Sequence, residues 1–293
     1  IPASPNGHPS VIGLNLGNYD KTLLFYTHYD VQPPEPLDLW ESEPFRPERR
    51  GDKLFGRGIS DDKGNIAARL AAVRAFSEID GKLPCGVKFF MEGEEEIGSK
   101  NLSGLVKNNM HLLAADACIW EGGGRNIANS PFIYLGLKGI LNIKMSVRKL
   151  GVDAHSSYAP VLPSAVDRLI QALASIKNSK GNLLIEGLND DIVPLTREQE
   201  ISLVSLPDET EGWRETFGVK ELVDQNESKN DLKIKLFQDT TATINGIEAG
   251  YNGPGVKTVL PSYAQCKMDF RLVPDQNPIN IFKCLRKHLD END

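Results

Sequence analysis

Imidazole and carboxylate side chains follow short apolar segments at three places in the first half of the chain. His28 and Asp30 follow the first segment. Glu95 and Glu96 follow the second segment, and Glu121 follows the third. An imidazole can bind a metal ion through one nitrogen while a nearby carboxylate fixes the other. Acidic groups gathered at strand ends need a cation to offset their repulsion, so this pattern favours a metal site.

A fourth candidate lies in the glycine-containing segment 56–64, which precedes an alanine-rich stretch. Asp61 or Asp62 could simply cap a helix there, whereas the functional alternative makes Asp61 a carboxylate that bridges two metal ions. The segment lacks the GxxxxGK[ST] spacing of a phosphate-binding loop. Each candidate alone has an ordinary structural explanation, but four of them in one domain favour a metal centre. Oxygen and imidazole ligands without thiolates suit a hydrolytic zinc, manganese or cobalt ion.

The apolar segments themselves predict a sheet that is buried on both faces. Residues 23–26, 87–91 and 117–120 are short, apolar runs that end abruptly in polar residues. Such runs are typical of strands covered by helices. Residues 66–79 carry apolar side chains near helical spacing and predict one of those helices. We therefore expect an α/β domain with helices on both faces of a mostly parallel sheet, where ligands bind beyond the carboxyl ends of the strands.

The pattern changes near residue 138, where apolar and polar residues begin to alternate. Such alternation is typical of strands with one solvent-exposed face. It predicts strands at 141–148, 240–247 and 266–272, with amphipathic helices that begin after Ser164 and Asn277. The second half of the chain is therefore expected to be an α+β domain.

We expect a catalytic domain at residues 1–137 and a second domain at residues 138–293. The predicted β-α-β-β-α order lacks the closing strand of a ferredoxin-like fold. Both domains are therefore expected to be truncated, with one more strand after Asp293. Residues 186–236 fit neither pattern and are expected to form a mixed excursion of helices and loops.

Composition excludes several classes of protein. The 293 residues carry a net charge of −7, so no domain-wide basic surface is expected to bind nucleic acid. No run approaches the roughly 18–20 apolar residues that cross a membrane. The four cysteines are far apart and form no CxxC pair, which favours a reducing compartment and a cytoplasmic location.

Two polar residues of the second half are further candidates. His155 lies in a short polar segment, where a lone histidine is usually structural. Arg271 lies between apolar neighbours, and the exposed face of a strand would explain it equally well. From the residues alone, both alternatives stay open.

Six segments together resemble the zinc-dependent peptidases and deacylases, a family that includes carnosinase, cytosolic dipeptidases, glutamate carboxypeptidase, acetylornithine deacetylase and succinyl-diaminopimelate desuccinylase. The resemblance runs from about residue 20 to the end, and its last two segments are closest to the dipeptidase branch. The segments are HYDVQPP (28–34), GRGISDDKG (56–64), EGEEEIGS (92–99), DAHSS (153–157), GPGVKTVLP (253–261) and DFRLVPDQNP (269–278).

The resemblance implies a metal-dependent hydrolase with two divalent ions per subunit, zinc by preference and manganese or cobalt as alternatives. The implied metal ligands are His28, Asp61, Glu96 and Glu121. Asp61 would bridge the two ions and Asp30 would orient His28. Glu95 would be the general base that takes a proton from a water bridging the ions.

The resemblance also implies that the second domain is an inserted lid that forms a homodimer. The residue matching His155 would reach into the site of the partner subunit and polarise the scissile carbonyl group. Arg271 would bind the free carboxylate of the substrate, with Asn245 as a weaker candidate. The implied substrate is a dipeptide, a C-terminal peptide or an N-acyl amino acid.

We therefore expect a dipeptidase or carboxypeptidase that cleaves an amide bond. An N-acyl-amino-acid deacylase with the same site is the first alternative, because several deacylases carry Glu at the position of Glu121 where dipeptidase-like members often carry Asp. The last histidine ligand of the family has no matching position after Glu121, so we expect a fragment. A non-catalytic protein that binds peptides or metal is the second alternative.

Overall fold

The computed structural model describes residues 1–2, 7–126, 129–223 and 228–292. The chain divides into two compact units, Ile1–Gly124 and Arg125–Asp293. The expected division into domains at residues 137 and 138 stays a prediction.

The first unit contains both strands and helices. Its strands are β1 (Val11–Asn15), β2 (Thr22–His28), β3 (Glu48–Arg50), β4 (Lys53–Phe55), β5 (Gly86–Glu92) and β6 (Ala117–Ile119), and its helices are α1 (Gly64–Asp80), α2 (Leu102–Asn108) and α3 (Met110–Leu113). The main sheet has the order β1-β5-β2-β6. β2 is parallel to both β5 and β6, whereas β1 is antiparallel to β5. β3 and β4 form a separate hairpin.

Helices pack against both faces of this sheet, and successive side chains of a strand point to opposite faces. On one face, the rings of Phe25 and Phe89 stack with centroids 5.0 Å apart, and Val73 of α1 packs against this cluster. On the other face, Tyr26 and Phe90 pack with apolar side chains of α2 and α3. The predicted α/β class of this domain is confirmed.

The edge strand β6 differs from the prediction. Residues 117–120 were expected to be buried on both faces, but Ile119 is 44% exposed and Trp120 is 47% exposed. The prediction is wrong because β6 is short and, among the described residues, pairs with β2 on one side only. An edge strand buries less surface than a central strand of the same composition.

The sheet brings the ends of its parallel strands to one edge. His28 and Glu92 are the last residues of β2 and β5, and they lie opposite each other in the register. β6 runs in the same direction, so the loop that carries Glu121 leaves the sheet at the same edge. The strand order therefore gathers loops whose side chains are far apart in the sequence.

The second unit is built around an antiparallel sheet. Its strands are β7 (Gly124–Arg125), β8 (Pro131–Phe132), β9 (Gly139–Arg148), β10 (Ala154–His155), β11 (Thr241–Ala249), β12 (Val259–Leu260) and β13 (Tyr263–Leu272), and its helices are α4 (Ala165–Ile176), α5 (Arg197–Ser205), α6 (Thr210–Phe217), α7 (Lys229–Gln238) and α8 (Pro278–Glu291). The main sheet has the order β11-β13-β9. β7 pairs with β8, and β10 pairs with β12.

One face of this sheet is buried under α4 and α8. Met268 and Phe270 of β13 pack with Ile281 and Leu285 of α8 in one core cluster. Arg271, between buried neighbours on the same strand, points to the exposed face. The expected α+β architecture with one-sided strands is confirmed, and the excursion at 186–236 contains α5, α6 and the start of α7.

Within the described ranges, no helix combines the length and the apolar character that crossing a bilayer requires.

Candidate metal centre

His28 lies at the centre of the candidate site and is 1% exposed. Its Nε2 atom lies 2.8 Å from Oδ1 of Asp61 and 3.7 Å from Oε2 of Glu121. Its Nδ1 atom lies 3.2 Å from the backbone oxygen of Asp30. An Nδ1–H group that donates to this carbonyl leaves Nε2 as the nitrogen that can bind a metal ion.

Asp30 connects two of the loops that form the site. Its carboxylate accepts hydrogen bonds from the backbone N–H groups of Glu95 (3.3 Å) and Glu96 (2.9 Å). One carboxylate oxygen also lies 3.4 Å from Nδ1 of His28. Asp30 therefore faces the imidazole that it was expected to orient, and it also anchors the short turn that carries the two glutamates.

The segment before α1 contributes two adjacent aspartates, which are joined by a cis peptide bond. The Asp61 side chain is 73% exposed, whereas Asp62 is buried. Asp62 accepts hydrogen bonds from the backbone N–H of His28 (3.3 Å) and from the side-chain amide of Asn65 (2.6 Å). Asp62 is thus a second acidic member of the cluster, which the sequence analysis considered only as a helix cap.

Two overlapping groups of ligand atoms meet at His28. One group contains His28, Asp62 and Glu121, and the other contains His28, Asp61 and Glu96. Within each group the ligand atoms lie within 4.8 Å of one another. The structure therefore brings together the four predicted metal ligands and adds Asp62. A cleft of about 300 Å³ opens beside them, lined by His28, Ser60, Asp61, Asp62, Asn65, Glu95, Glu121, Gly122 and Gly123.

Glu121 is the carboxylate of the site with a clearly raised pKa and an unpartnered oxygen. Its Oε1 atom accepts a hydrogen bond from Nε1 of Trp120 at 3.3 Å. Its Oε2 atom is buried and has no hydrogen-bond partner among the described residues. Burial, together with the charge of Glu95, raises the pKa of Glu121 to about 7. A buried carboxylate oxygen without a donor is costly, and a cation beside it would remove that cost.

The pKa values of Glu95 and His28 are also raised, as expected where acidic groups crowd together. Burial raises the pKa of Glu95, and the charges of Glu96 and Asp61 add to this effect. Burial opposes the charged form of His28, but the hydrogen bond to Asp61 and the charge of Glu121 outweigh it and raise the pKa of His28. Acidic groups thus crowd around one imidazole.

The donor set of this cluster suits a divalent ion. It consists of one imidazole nitrogen and carboxylate oxygens, and neither group of ligand atoms contains a cysteine. Zinc, manganese and cobalt all accept such ligands. Together with the unpartnered oxygen of Glu121, this chemistry fits the metal that the sequence predicts.

The remaining predicted site residues lie in the second unit. His155 is the last residue of β10 and is exposed. Its Nδ1 atom accepts a hydrogen bond from the backbone N–H of Ser157 at 3.2 Å, and its Nε2 atom lies 3.3 Å from Oγ1 of Thr258. Arg271 lies on β13 with its Nε atom 3.7 Å from the carboxylate of Asp269.

Asn245 lies at an irregularity of β11, between the pairs Ile244–Met268 and Gly246–Lys267. Such a bulge can redirect a side chain. Asn245 lies four residues along β11 from Thr241, the partner of Arg271, which is about 13 Å of strand, so these two residues are not adjacent. Their roles and that of His155 stay predictions.

Two family models match the chain. The model described as "Peptidase family M20/M25/M40" matches residues 24–190, and the model described as "Peptidase dimerisation domain" matches residues 135–293.

Individual proteins of similar sequence and structure carry peptidase names. The chain is 31% identical to Beta-Ala-His dipeptidase of Homo sapiens over 97% of this chain and 56% of that protein. It is 30% identical to Cys-Gly metallodipeptidase DUG1 of Saccharomyces cerevisiae over 92% of this chain and 57% of that protein. The crystal structure of an M20 family metallo-carboxypeptidase, Sso-CP2 from Sulfolobus solfataricus, superposes with a TM-score of 0.90 and 38% identity, covering 98% of this chain and 65% of that one. The chain spans about half the length of these curated relatives.

The raised pKa values predict how ion binding depends on pH. A bound ion requires Glu121 to be ionised and His28 to be neutral, so both groups must lose their protons. Because both pKa values are raised, the affinity of the metal-free protein for Co²⁺ should increase as the pH rises from about 5 to 8. Titrations at a series of pH values measure this.

Glu121→Gln should lower the Co²⁺ affinity and flatten its pH dependence near pH 7, because the titrating carboxylate is gone. Glu78→Gln, an exposed change on α1, is the matched control and should behave as the wild-type protein does. An affinity that stays constant or falls between pH 5 and 8 would contradict the prediction.

Proposed function

The chain belongs to peptidase family M20/M25/M40, and from this premise we propose that it hydrolyses the amide bond of a dipeptide or of the C-terminal residue of a peptide. Membership confirms the family that the six sequence motifs predicted. The observation that carries the proposed function is the convergence of two groups of acidic ligands on buried His28.

The names of the relatives support a peptidase. Two of the proteins described above are called dipeptidases and the third a metallo-carboxypeptidase. The model of a dimerisation domain over residues 135–293 supports a homodimer. The cytoplasmic location stays a prediction.

We assign His28, Asp62 and Glu121 to one ion and Asp61 and Glu96 to a second; the expected bridging of both ions by Asp61, whose Oδ1 atom lies 2.8 Å from Nε2 of His28, stays a prediction. The two groups share the imidazole, but its Nε2 atom can bind only one ion. The second ion therefore keeps fewer ligands from the described residues than the first. We expect the group that contains Glu121 to be the stronger site, and the number of ions and the choice of zinc stay predictions.

These ligands would hold divalent ions, which would supply a lower pKa for a bound water and polarisation of a carbonyl oxygen. Glu95 then accepts a proton from the attacking water and donates it to the leaving nitrogen. Its raised pKa suits this task, since a general base works best with a pKa near the working pH. The hydrogen bond from its backbone N–H to Asp30 keeps Glu95 beside the cleft.

The second unit supplies the proposed substrate contacts. His155 accepts a hydrogen bond at Nδ1, so its neutral form carries the proton on Nε2 and can donate it to the oxygen of a scissile carbonyl in the site of the partner subunit. Arg271 has a planar group of donors that can form a paired hydrogen bond with a terminal carboxylate. Asn245 is a weaker candidate for the same carboxylate.

Glu95→Gln tests the general base. The amide cannot accept the proton, so turnover of dipeptides should fall by about 100-fold or more. Metal content and the thermal unfolding midpoint should remain those of the wild type, because the change is nearly isosteric. Glu78→Gln on the surface of α1 is the control and should leave turnover unchanged. Wild-type turnover in Glu95→Gln would refute the role of Glu95.

A panel of substrates tests the proposed specificity. Dipeptides with a free C-terminal carboxylate should be cleaved faster than their C-terminal amides and faster than N-acetyl or N-succinyl amino acids. Arg271→Met should raise KM for the free dipeptides by about 10-fold or more, because a charge-assisted hydrogen bond is lost, and should leave KM for the amides unchanged.

Preferential cleavage of the N-acyl amino acids would instead identify a deacylase. Absence of hydrolysis together with one ion or none per chain would identify a non-catalytic binding protein. Either result would overturn the proposed peptidase.

A further inference from the structure

The proposed ligands His28 and Glu121 lie beyond the point at which their strands stop pairing. β2 and β6 pair at three positions, and the last pair is Phe25 with Ile119. His28 lies three residues past this pair and Glu121 lies two residues past it. Backbone pairing alone therefore does not fix the distance between the two side chains, and another interaction must do so.

Arg69 of α1 connects the backbone of β2 to the segment after β6, one residue beyond the last pair. Its Nη1 atom donates a hydrogen bond to the backbone oxygen of Tyr26 at 2.9 Å. Its Nη2 atom donates to the backbone oxygen of Trp120 at 2.8 Å. Tyr26 and Trp120 are the residues that directly follow the last pair. The planar guanidinium group thus connects the two segments where the next pair of the ladder would lie.

The side chains of the same two residues continue this connection toward the site. The rings of Tyr26 and Trp120 stack with centroids 4.0 Å apart and an angle of 25° between their planes. The hydroxyl group of Tyr26 donates a hydrogen bond of 2.5 Å to the carboxylate of buried Glu92, and this hydrogen bond fixes the orientation of the ring. Trp120 in turn donates from Nε1 to Oε1 of Glu121 at 3.3 Å.

This arrangement decides which oxygen of Glu121 faces the imidazole. Because Trp120 holds Oε1, the unpartnered Oε2 atom lies 3.7 Å from Nε2 of His28. Two ligand atoms held near each other before an ion arrives reduce the ordering cost of binding it.

We propose that Arg69 is a positioning residue that, through the stacked pair of Tyr26 and Trp120, holds Glu121 against His28 for ion binding. This inference rests on the proposed function, because it assigns both ligands to one ion. Partners behind the direct ligands typically contribute 10–100-fold to metal affinity. Arg69 also lies 5.7 Å above the ring of Phe25, so a role in stability alone is the alternative that an experiment must separate.

Arg69→Lys is the decisive variant. It keeps the positive charge beside the acidic cluster and removes the planar pair of N–H donors to Tyr26 and Trp120. Any change in ion affinity then results from the positions of the ligands and not from a change of charge. Arg74→Lys, on the same helix at an exposed position paired with Glu78, is the matched control. Trp120→Phe keeps an aromatic ring beside Tyr26 and removes the Nε1 donor to Glu121, which provides a second test if Arg69→Lys does not fold.

The measurement is a titration of the metal-free full chain with Co²⁺, followed by visible absorption, with thermal unfolding of the metal-free protein alongside. We expect Arg69→Lys and Trp120→Phe each to weaken Co²⁺ binding by about 10-fold and to alter the visible spectrum of the bound ion. Arg74→Lys should match the wild type in both.

The outcomes separate this inference from the proposed function. A wild-type chain that takes up no Co²⁺ would overturn both. A wild type that binds Co²⁺, with wild-type affinity and spectrum in Arg69→Lys and Trp120→Phe, would overturn the positioning role alone. A lower unfolding midpoint in Arg69→Lys with unchanged Co²⁺ affinity would also overturn it, because Arg69 would then serve stability only.

Discussion

Mutual repulsion among acidic side chains around one buried imidazole is the constraint on which the site depends. Burial and the charges of Glu96 and Asp61 raise the pKa of Glu95, and burial together with the charge of Glu95 raises the pKa of Glu121 to about 7. Without a cation, this arrangement opposes folding, since ionised carboxylates lose hydration without gaining enough donors. A divalent ion converts the same repulsion into coordination. The unfavourable free energy of the crowded carboxylates in the metal-free protein therefore contributes to the affinity of the site for metal.

The sheet and its surroundings hold this unfavourable arrangement together. Parallel strands deliver His28 and the loops of Glu95 and Glu121 to one edge of the sheet. Asp30, two residues after His28, accepts hydrogen bonds from the backbone of the loop that carries Glu95. Arg69 donates hydrogen bonds to the backbone of Tyr26 in β2 and of Trp120 beside Glu121. Packed helices on both faces anchor the strands that carry these loops. Stability in the core is thus used to fix groups that would otherwise separate.

The sequence predicted the elements better than the details of the site. Apolar runs followed by acidic residues placed the strand ends correctly, because strand burial and loop polarity are local properties. Burial of residues 117–120 was mispredicted, since composition does not reveal that a strand lies at an edge. The part of Asp62 in the cluster depends on the path of the chain before α1, and that of Arg69 depends on how α1 packs against β2 and β6. Neither follows from spacing along the chain.

Anomalous diffraction from crystals of the full chain soaked with Co²⁺, recorded at the cobalt absorption edge, tests the proposed ion site at His28 most directly. We expect a strong anomalous peak about 2.0–2.2 Å from Nε2 of His28, with carboxylate oxygens of Glu121 and Asp62 at similar distances. A map with ions bound elsewhere, or with these side chains turned away from one another and no ion between them, would contradict it.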